Sequence, residues 1–524
     1  MVKYLFVFGL GLSPCPQSED SLRDFRVERP LVEGGSDEDP PSSSGIRLSL
    51  RQSIHLALNH NLDIEVARYQ PWIEDQNILA ALGTFDVVLY ANGAYNQSYT
   101  PTGSALSGAE TLEQDTTTLT VGVKKLLPFG TTVDASYYSE RLDTNSSFYT
   151  LVPQWTEKAG VTVTVPLLRG AGVTSNYSSI LISRNNREIS IYQFEKSLTE
   201  AVYGVHEAYW GLVFSIENKK VKEQSLAVAR KLRDENQKKY EHRIVARIDV
   251  TQAEAGVASQ EEGILTAEAQ VLNAADRLKR VVDPALLRSE EPVWPTDVPR
   301  GYDEEIDESA SVRRAFADAL AHRPDYLQIA REIDSLDVTI VKSERDLLPR
   351  VDLQGGAYAK GVDDSFGFAN SGLFSLDGRE LVFGLVVEYP LGTRSARGTL
   401  NKAELEKRRS ILRRRSLEDQ LLVEVREAVR RLKTDEKRIQ ATRKARILAQ
   451  EQFDAELKRK EQGLSTTFRV LDVQKELTLA LSNEIKAKID YRLSLANLDR
   501  ASGTLLTTQN IRLNENLAPR VALR

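Results

Sequence analysis

The chain of 524 residues carries a net charge of −6, with 41% hydrophobic and 7% aromatic residues; this balance gives no support to nucleic-acid binding, and its Lys and Arg are spread among Asp and Glu. Beyond the amino terminus no apolar run approaches the roughly 20 residues that span a bilayer, so any membrane crossing must use strands. The single cysteine, Cys15, excludes an internal disulfide framework and a zinc site of several thiolates, and His55, His60, His206, His242 and His322 make no HExxH pattern.

Residues 1–45 read as an export signal followed by a disordered acidic leader. The short apolar stretch Tyr4 to Leu12 follows a lysine, and Gln17 to Gly45 is acidic and rich in Pro, Ser and Gly. Leu12-Ser-Pro-Cys15 is similar to a lipoprotein cleavage box, in which Cys15 would become an acylated amino terminus. Pro14 departs from that pattern, and the alternative is an incidental cysteine.

Leu48 to Leu82 is the first helical segment, and it has a partner downstream. Ala57-Leu-Asn-His-Asn-Leu-Asp63 resembles Ala319-Leu-Ala-His-Arg-Pro-Asp325, and a shared Gly-Ala-Tyr follows at Gly93 to Tyr95 and Gly356 to Tyr358. An offset of about 262 residues, held through helix and strand alike, marks an internal repeat. The halves are 46–283 and 308–507, joined by a proline-punctuated linker, 284–307, and followed by a tail, 508–524.

From Phe85 to Val165 the apolar period becomes two. Strands are expected near Asp86 to Ser98, Thr116 to Leu126, Thr131 to Glu140 and Lys158 to Val165, with a tight turn at Leu127-Pro-Phe-Gly130. Tyrosines and Trp155 near the strand ends suit a lipid–water interface. The second half shows two clear strands, about Arg350 to Lys360 and Arg379 to Glu388, separated by a Gly- and Phe-containing loop. The first half carries about 39 residues more in this region, enough for one additional hairpin. That hairpin either joins its neighbours or stands above the membrane.

Each half ends in a long helix, a turn and a shorter helix: Thr174 to Glu241 with Ile248 to Asp283, and Ser395 to Gln462 with Phe468 to Gly503. In the second pair Leu417, Leu421, Val425, Ala428 and Leu432 keep a three-to-four spacing, and Val473, Leu477, Leu481, Ile485 and Ile489 a steady four. At about 1.5 Å per residue the longest helix is on the order of 100 Å. Two short helices end to end match one long helix, which suits a helical cylinder wall. Among its residues His206 reads as a helix-face histidine.

If the strands cross a membrane, the fold class is an α+β membrane channel: a tandem-repeat long α-helical barrel with a transmembrane β-barrel of about four strands per chain. Four strands cannot close a barrel, and open edges in a membrane leave backbone groups unsatisfied. Three chains would supply twelve. The rival reading is a coiled-coil scaffold with an inserted soluble β domain. No phosphate loop, dinucleotide fingerprint or nucleophile elbow supports an enzyme, and no cofactor or metal is expected.

The order of these parts resembles the outer membrane efflux protein family, the TolC-like exit ducts of tripartite pumps and type I secretion systems. The marks are the tandem halves, Ala57-Leu-x-x-Asn61 with Ala319-Leu-x-x-Arg-Pro-Asp325, the run Pro166-Leu-Leu-Arg-Gly170, and two helix-turn-helix tips, Tyr240 to Glu254 and Gln462 to Glu476. The resemblance implies a homotrimer in the outer membrane with a periplasmic tunnel. It also implies tips that meet a periplasmic adaptor protein, itself coupled to an inner-membrane efflux or ABC transporter. By position it makes Asp472 and Arg469 candidates for the tunnel's constriction, with Arg469 where an acid is common. Adaptor-contact candidates are Arg243, Ile244, Val245, Gly463, Leu464 and Ser465. The first tip departs from the family in having His242-Arg243 where a glycine is usual.

Overall fold

The computed structural model describes residues 45–103, 108–299, 308–375 and 378–511. The expected export signal, the acidic leader and Cys15 lie outside the described residues, as do 300–307 of the linker and 512–524 of the tail. In chain order the first half is β1 (Ile46–Leu48), α1 (Leu50–His60), α2 (Leu62–Leu82), β2 (Val87–Pro101), β3 (Thr111–Leu126), β4 (Thr132–Thr144), β5 (Gln154–Pro166), α3 (Val173–Asn176), α4 (Ser178–Glu241) and α5 (Arg247–Val282). A single-turn helix, Pro284–Arg288, and β6 (Val293–Pro295) lead to α6 (Glu308–His322), α7 (Pro324–Asp346), β7 (Arg350–Asp363), α8 (Phe366–Ser375), β8 (Gly378–Glu388), α9 (Arg394–Glu461), α10 (Thr467–Ala501) and α11 (Leu505–Thr508).

The chain forms two compact units, each drawing on both sequence halves. Among the described residues one holds 45–67, 195–323 and 420–511; the other holds Arg68–Phe194 and Pro324–Asp419. No helix among the described residues is long and apolar enough to cross a membrane.

The first short helical segment, expected as one run from Leu48 to Leu82, is broken in two, and its downstream counterpart is likewise two helices, α6 and α7. After α1 the Asn61 side chain accepts from the N–H groups of Asp63 (2.8 Å) and Ile64 (3.2 Å) and donates to the Val281 carbonyl at 2.6 Å. It therefore starts a new helix as an N-cap. In the second half Pro324 occupies the first position of α7, where its missing N–H costs nothing.

In the unit rich in long helices the core is built where small residues let helices approach. Ala315 and Ala319 of α6 pack on Val425, Ala428 and Val429 of α9 and Ala501 of α10. Gly503, with a φ of +74°, closes α10 against the backbone of His322 and Arg323 as a glycine C-cap. Further along, Leu232 of α4, Phe453 of α9 and Val470, Val473 and Leu477 of α10 form another cluster. Ion pairs line the α9–α10 seam, Arg438 to Asp490 at 2.7 Å and Arg446 to Glu484 at 2.6 Å. His206 of α4 is buried, and burial pushes its imidazole down to about 4, so it is a neutral core residue at neutral pH.

The other unit contains one six-stranded antiparallel sheet in the order β2-β3-β4-β5-β7-β8. About four strands are expected, with an additional hairpin in the first half that either joins them or stands apart; that hairpin, β3 and β4, lies inside the sheet. β3 pairs with β2 from Val87↔Lys125 to Pro101↔Thr111, and β4 pairs with β5 from Thr132↔Thr164 to Leu142↔Gln154. The backbone groups of β3 and β4 are thus satisfied on both sides.

Alternation makes the two faces chemically distinct. One register row reads Leu89, Val123, Ala135, Val161, Ala357 and Leu381; the next, on the opposite face, reads Tyr90, Gly122, Ser136, Gly160, Tyr358 and Glu380. The polar face is knitted together. Tyr90 donates to Asp134 at 2.9 Å, Lys158 pairs with Glu380 at 2.7 Å, and the hydroxyls of Thr162 and Tyr358 share a hydrogen bond. The apolar face lies open, with Leu89 73%, Leu381 71% and Phe383 80% exposed.

The segment between β7 and β8, expected as a loop, forms helix α8. It lies on the apolar face: a methyl group on Gly361 would sit 1.9 Å from the Ala369 carbonyl oxygen, and Phe366 meets Trp155 edge to face with centroids 5.4 Å apart. The same face carries Glu157, fully buried and accepting from Tyr137 (2.5 Å) and Ser139 (2.8 Å). A carboxylate there must be covered and hydrogen-bonded.

Candidate functional site

Both candidate tips belong to the helix-rich unit, so their geometry can be compared directly. At the end of α4 the N–H of Arg243 donates to the Tyr240 carbonyl and that of Ile244 to Lys239, both at 2.8 Å. At the end of α9 Gly463 donates to Lys460 (3.0 Å) and Leu464 to Arg459 (2.8 Å). Both are Schellman closures, which satisfy terminal carbonyls by placing one residue in the left-handed region. Gly463 adopts a φ of +76° there, and Arg243 adopts +56°. The His242-Arg243 departure therefore changes the residue without changing the turn.

The helices that follow begin differently. Thr466 caps α10, its hydroxyl accepting from the Arg469 N–H at 3.3 Å, whereas Ala246 precedes α5 with no side-chain cap. Ser465 donates to the Glu456 carboxylate and is partly covered, as is Val245.

Beneath the turns one buried amide ties the four helix ends together. Asn236 of α4 donates to the Asp249 carbonyl of α5 (3.2 Å) and to the Thr467 hydroxyl of α10 (3.0 Å), while Lys460 of α9 donates to its oxygen at 2.9 Å. Burial, aided by neighbouring Lys239, pulls the Lys460 ammonium down to about 8. Next along the seam, Gln474 donates to the Ser225 carbonyl (2.6 Å) and the Ser225 and Thr478 hydroxyls share a hydrogen bond of 2.6 Å.

Above this network each turn presents a matched pair of exposed apolar side chains. Ile244 and Ile248 are 69% and 61% exposed, and Leu464 and Phe468 74% and 65%. The sequence reading singled out Ile244 and Leu464 but missed Ile248 and Phe468. Superposing the two tip sequences at Arg243 and Gly463 would have revealed them, because Ile248 and Phe468 then coincide. No sequence signal marks Asn236 as the hub.

Arg469 and Asp472 face each other one turn apart on α10, with guanidinium and carboxylate 2.8 Å apart and both about half exposed. An exposed pair of this kind contributes about 0 to 1 kcal/mol to stability. Its place in any aperture depends on neighbouring copies. Among the described residues no cluster of acidic, His or Cys side chains is arranged to hold a metal ion.

Long paired helices closed by twin turns, together with an antiparallel sheet that is apolar on one face and polar on the other, define a membrane channel subunit. The chain belongs to the outer membrane efflux protein family, whose model matches residues 118–282 and 315–504. Solved channels share its fold. The Campylobacter jejuni CmeC outer membrane channel superposes with a TM-score of 0.64 at 14% identity, covering 94% of this chain and 99% of CmeC. VceC from Vibrio cholerae gives 0.61 at 17% identity, covering 87% and 96%. The open state of the Neisseria gonorrhoeae MtrE channel gives 0.57 at 19%, covering 92% and 98%. No curated protein matches the chain in sequence. The protein is an outer-membrane exit duct.

Proposed function

We propose that three copies of the chain close their sheets into one barrel in the outer membrane and their helices into one tunnel, forming a passive conduit of a tripartite efflux pump or a type I secretion system. The observation that carries this reading is the sheet with one apolar face and two edges, β2 and β8, that are unpaired among the described residues. In hydrocarbon an open edge leaves every second N–H and C=O unsatisfied, so the edges must find partners. In an antiparallel sheet of six strands the edges run in opposite directions. β8 of one copy can therefore meet β2 of the next antiparallel, a head-to-tail contact that closes into a ring.

The partner at the tips is a periplasmic adaptor protein, which links the duct to an inner-membrane efflux or ABC transporter. The apolar pairs Ile244–Ile248 and Leu464–Phe468, with Arg243, Val245, Gly463 and Ser465 between and beside them, form its contact surface. The buried network below holds both turns in one register. Three Arg469–Asp472 pairs, one per copy, line and narrow the aperture.

Two measurements test this. The native mass of the protein extracted from outer membranes, corrected for detergent, should equal three chains of 58.6 kDa; a monomer would remove the barrel closure. Leu464→Asp should abolish crosslinking to the adaptor while leaving the trimer intact. Undiminished crosslinking would remove the tip surface.

A further inference from the structure

We infer that all six strands of the sheet cross the outer membrane, so that the trimer proposed above closes a barrel of eighteen strands rather than twelve. The β3–β4 hairpin is then a membrane hairpin, not a decoration standing above the bilayer. The count of three rests on the trimeric reading; the crossing of the hairpin rests on its own geometry.

Its strands are long enough. β3 has 16 residues and β4 has 13, whereas a tilted membrane strand needs about 9–11. The hairpin is also rooted at the end of the sheet from which the helices leave. The Phe129 carbonyl in its turn accepts from the Gly172 N–H at 3.1 Å, and a methyl group on Gly130, whose φ is +95°, would lie 2.2 Å from the Gly170 carbonyl oxygen. Residues 170–172 connect β5 to α3 and α4. A hairpin standing outside the membrane would have its turn at the opposite end, beyond the β2–β3 and β4–β5 connections.

Apolar and polar side chains alternate in the central stretches of the hairpin, Leu119 to Val123 and Val133 to Tyr137. Leu119, Val121 and Val123 of β3 and Val133, Ala135 and Tyr137 of β4 share the apolar face. Thr118, Thr120 and Lys124 of β3 and Asp134, Ser136 and Glu140 of β4 share the polar one. In a soluble insert one face of a hairpin would cover a core; here the apolar side chains of β3 stay exposed.

The apolar band also slants across the sheet as a membrane band must. The register row through Ala91 runs by Val121, Tyr137 and Ala159 to Ala359 and Arg379. On β2 and β3 this row passes through the middle of the band, at Ala91 and Val121. On β8 the band, Leu381 to Val387, is centred about five residues beyond Arg379. Strands tilted by about 40° and about 4.8 Å apart shift a level plane by about one residue per strand. The four steps from β3 through β4, β5 and β7 to β8 account for the shift of about five residues, and β4 takes the first of them.

Barrel diameter grows roughly linearly with strand number. Eighteen strands therefore open the outer-membrane passage to about one and a half times the width of a twelve-stranded barrel, lined by the polar face that carries Lys124, Asp134, Lys158 and Glu380.

The test uses the full-length trimer in lipid vesicles, with Cys15→Ser removing the native thiol and nitroxide labels on single cysteines. Val121→Cys and Ala135→Cys should show a several-fold higher ratio of oxygen to water-soluble nickel-complex accessibility than Thr120→Cys and Ser136→Cys, matching Leu381→Cys on β8. If Leu381→Cys senses lipid while Val121→Cys and Ala135→Cys sense water, the hairpin lies outside the membrane and the inference is overturned, with the duct intact. If Leu381→Cys senses water as well, the barrel reading itself fails. Should a labelled variant not assemble, electron microscopy of the unmodified trimer decides by counting eighteen strands or twelve.

Discussion

The two turns of the helix-rich unit reach one backbone by different residues. In the second, Gly463 takes the left-handed position at no steric cost and Thr466 caps the following helix; in the first, Arg243 takes that position and Ala246 offers no cap. A non-glycine residue in the left-handed region costs about 1–2 kcal/mol, and a missing N-cap about 1 kcal/mol. The first turn nevertheless closes with the same pair of hydrogen bonds. What holds it lies underneath: Asn236 reaches both α5 and α10 from α4, and α5 approaches α10 so closely that Gly256 faces Leu471 at contact distance. Tertiary anchoring has replaced local propensity at the first turn and adds to it at the second.

The largest effect should come from removing that anchor. Asn236→Leu leaves the Thr467 hydroxyl, the Asp249 carbonyl and the Lys460 ammonium without their buried partner, and should cost about 2–3 kcal/mol. Hydrogen exchange of the turn amides should quicken more in the first turn than in the second. The same hub gives a pH signature. Lys460 holds its proton less tightly in the fold, about 8 against 10.5 unfolded, so between those values the unfolded state binds more protons and stability rises with pH. Exchange protection at both turns should increase from pH 8 to 10, and Lys460→Met should abolish the increase.

Exchanging the turn residues should act in opposite directions. Arg243→Gly relieves the left-handed strain and should stabilise the first turn by about 1 kcal/mol, while Gly463→Ala should weaken the second by a similar amount. Differential exchange between the two turns would read both. Capping follows at smaller size: Thr466→Ala should lose about 1 kcal/mol and Ala246→Ser gain about 0.5 kcal/mol. If Ala246→Ser gains nothing, the entry to α5 is fixed by packing alone.

The long helices were legible almost to the residue because their ends are written locally. Ile248 to Asp283 was expected and Arg247–Val282 is found; Ser395 to Gln462 was expected and Arg394–Glu461 is found. The break at Asn61 was not read, although an Asn followed by Leu-Asp is a capping signal. The expected helix ran through it because the apolar spacing continues on both sides. The additional hairpin was visible as surplus length, but its place between β2 and β5 depends on pairing between distant strands, which no local pattern encodes. Helix α8 was read as a loop because Gly and Phe alternate there with no helical period; it is held by Trp155 and the bare backbone at Gly361. At the tips Leu464 and Ile244 stood out as apolar residues in turns. Phe468 and Ile248 were missed because each sits in the first turn of a helix, where an apolar residue is ordinarily assigned to the core.

The smallest expected change in stability carries the sharpest functional contrast. Arg469 and Asp472 are half exposed and paired with each other, so Arg469→Asp should alter stability by less than about 1 kcal/mol. The corresponding position in the first turn is Asp249, whose carboxylate accepts from Thr467 at 3.3 Å and is tied into the network. Reversal at Arg469 therefore perturbs an unanchored site. If three such pairs narrow the aperture, the reversal replaces three attractions with clustered negative charge, and single-channel conductance in planar bilayers should rise while the melting temperature stays unchanged. Asp472→Arg, which clusters positive charge instead, should open the aperture equally well but shift ion selectivity the other way. Conductance that matches the unaltered protein in both variants would assign the pair to the solvated face of α10 and leave the constriction to other residues.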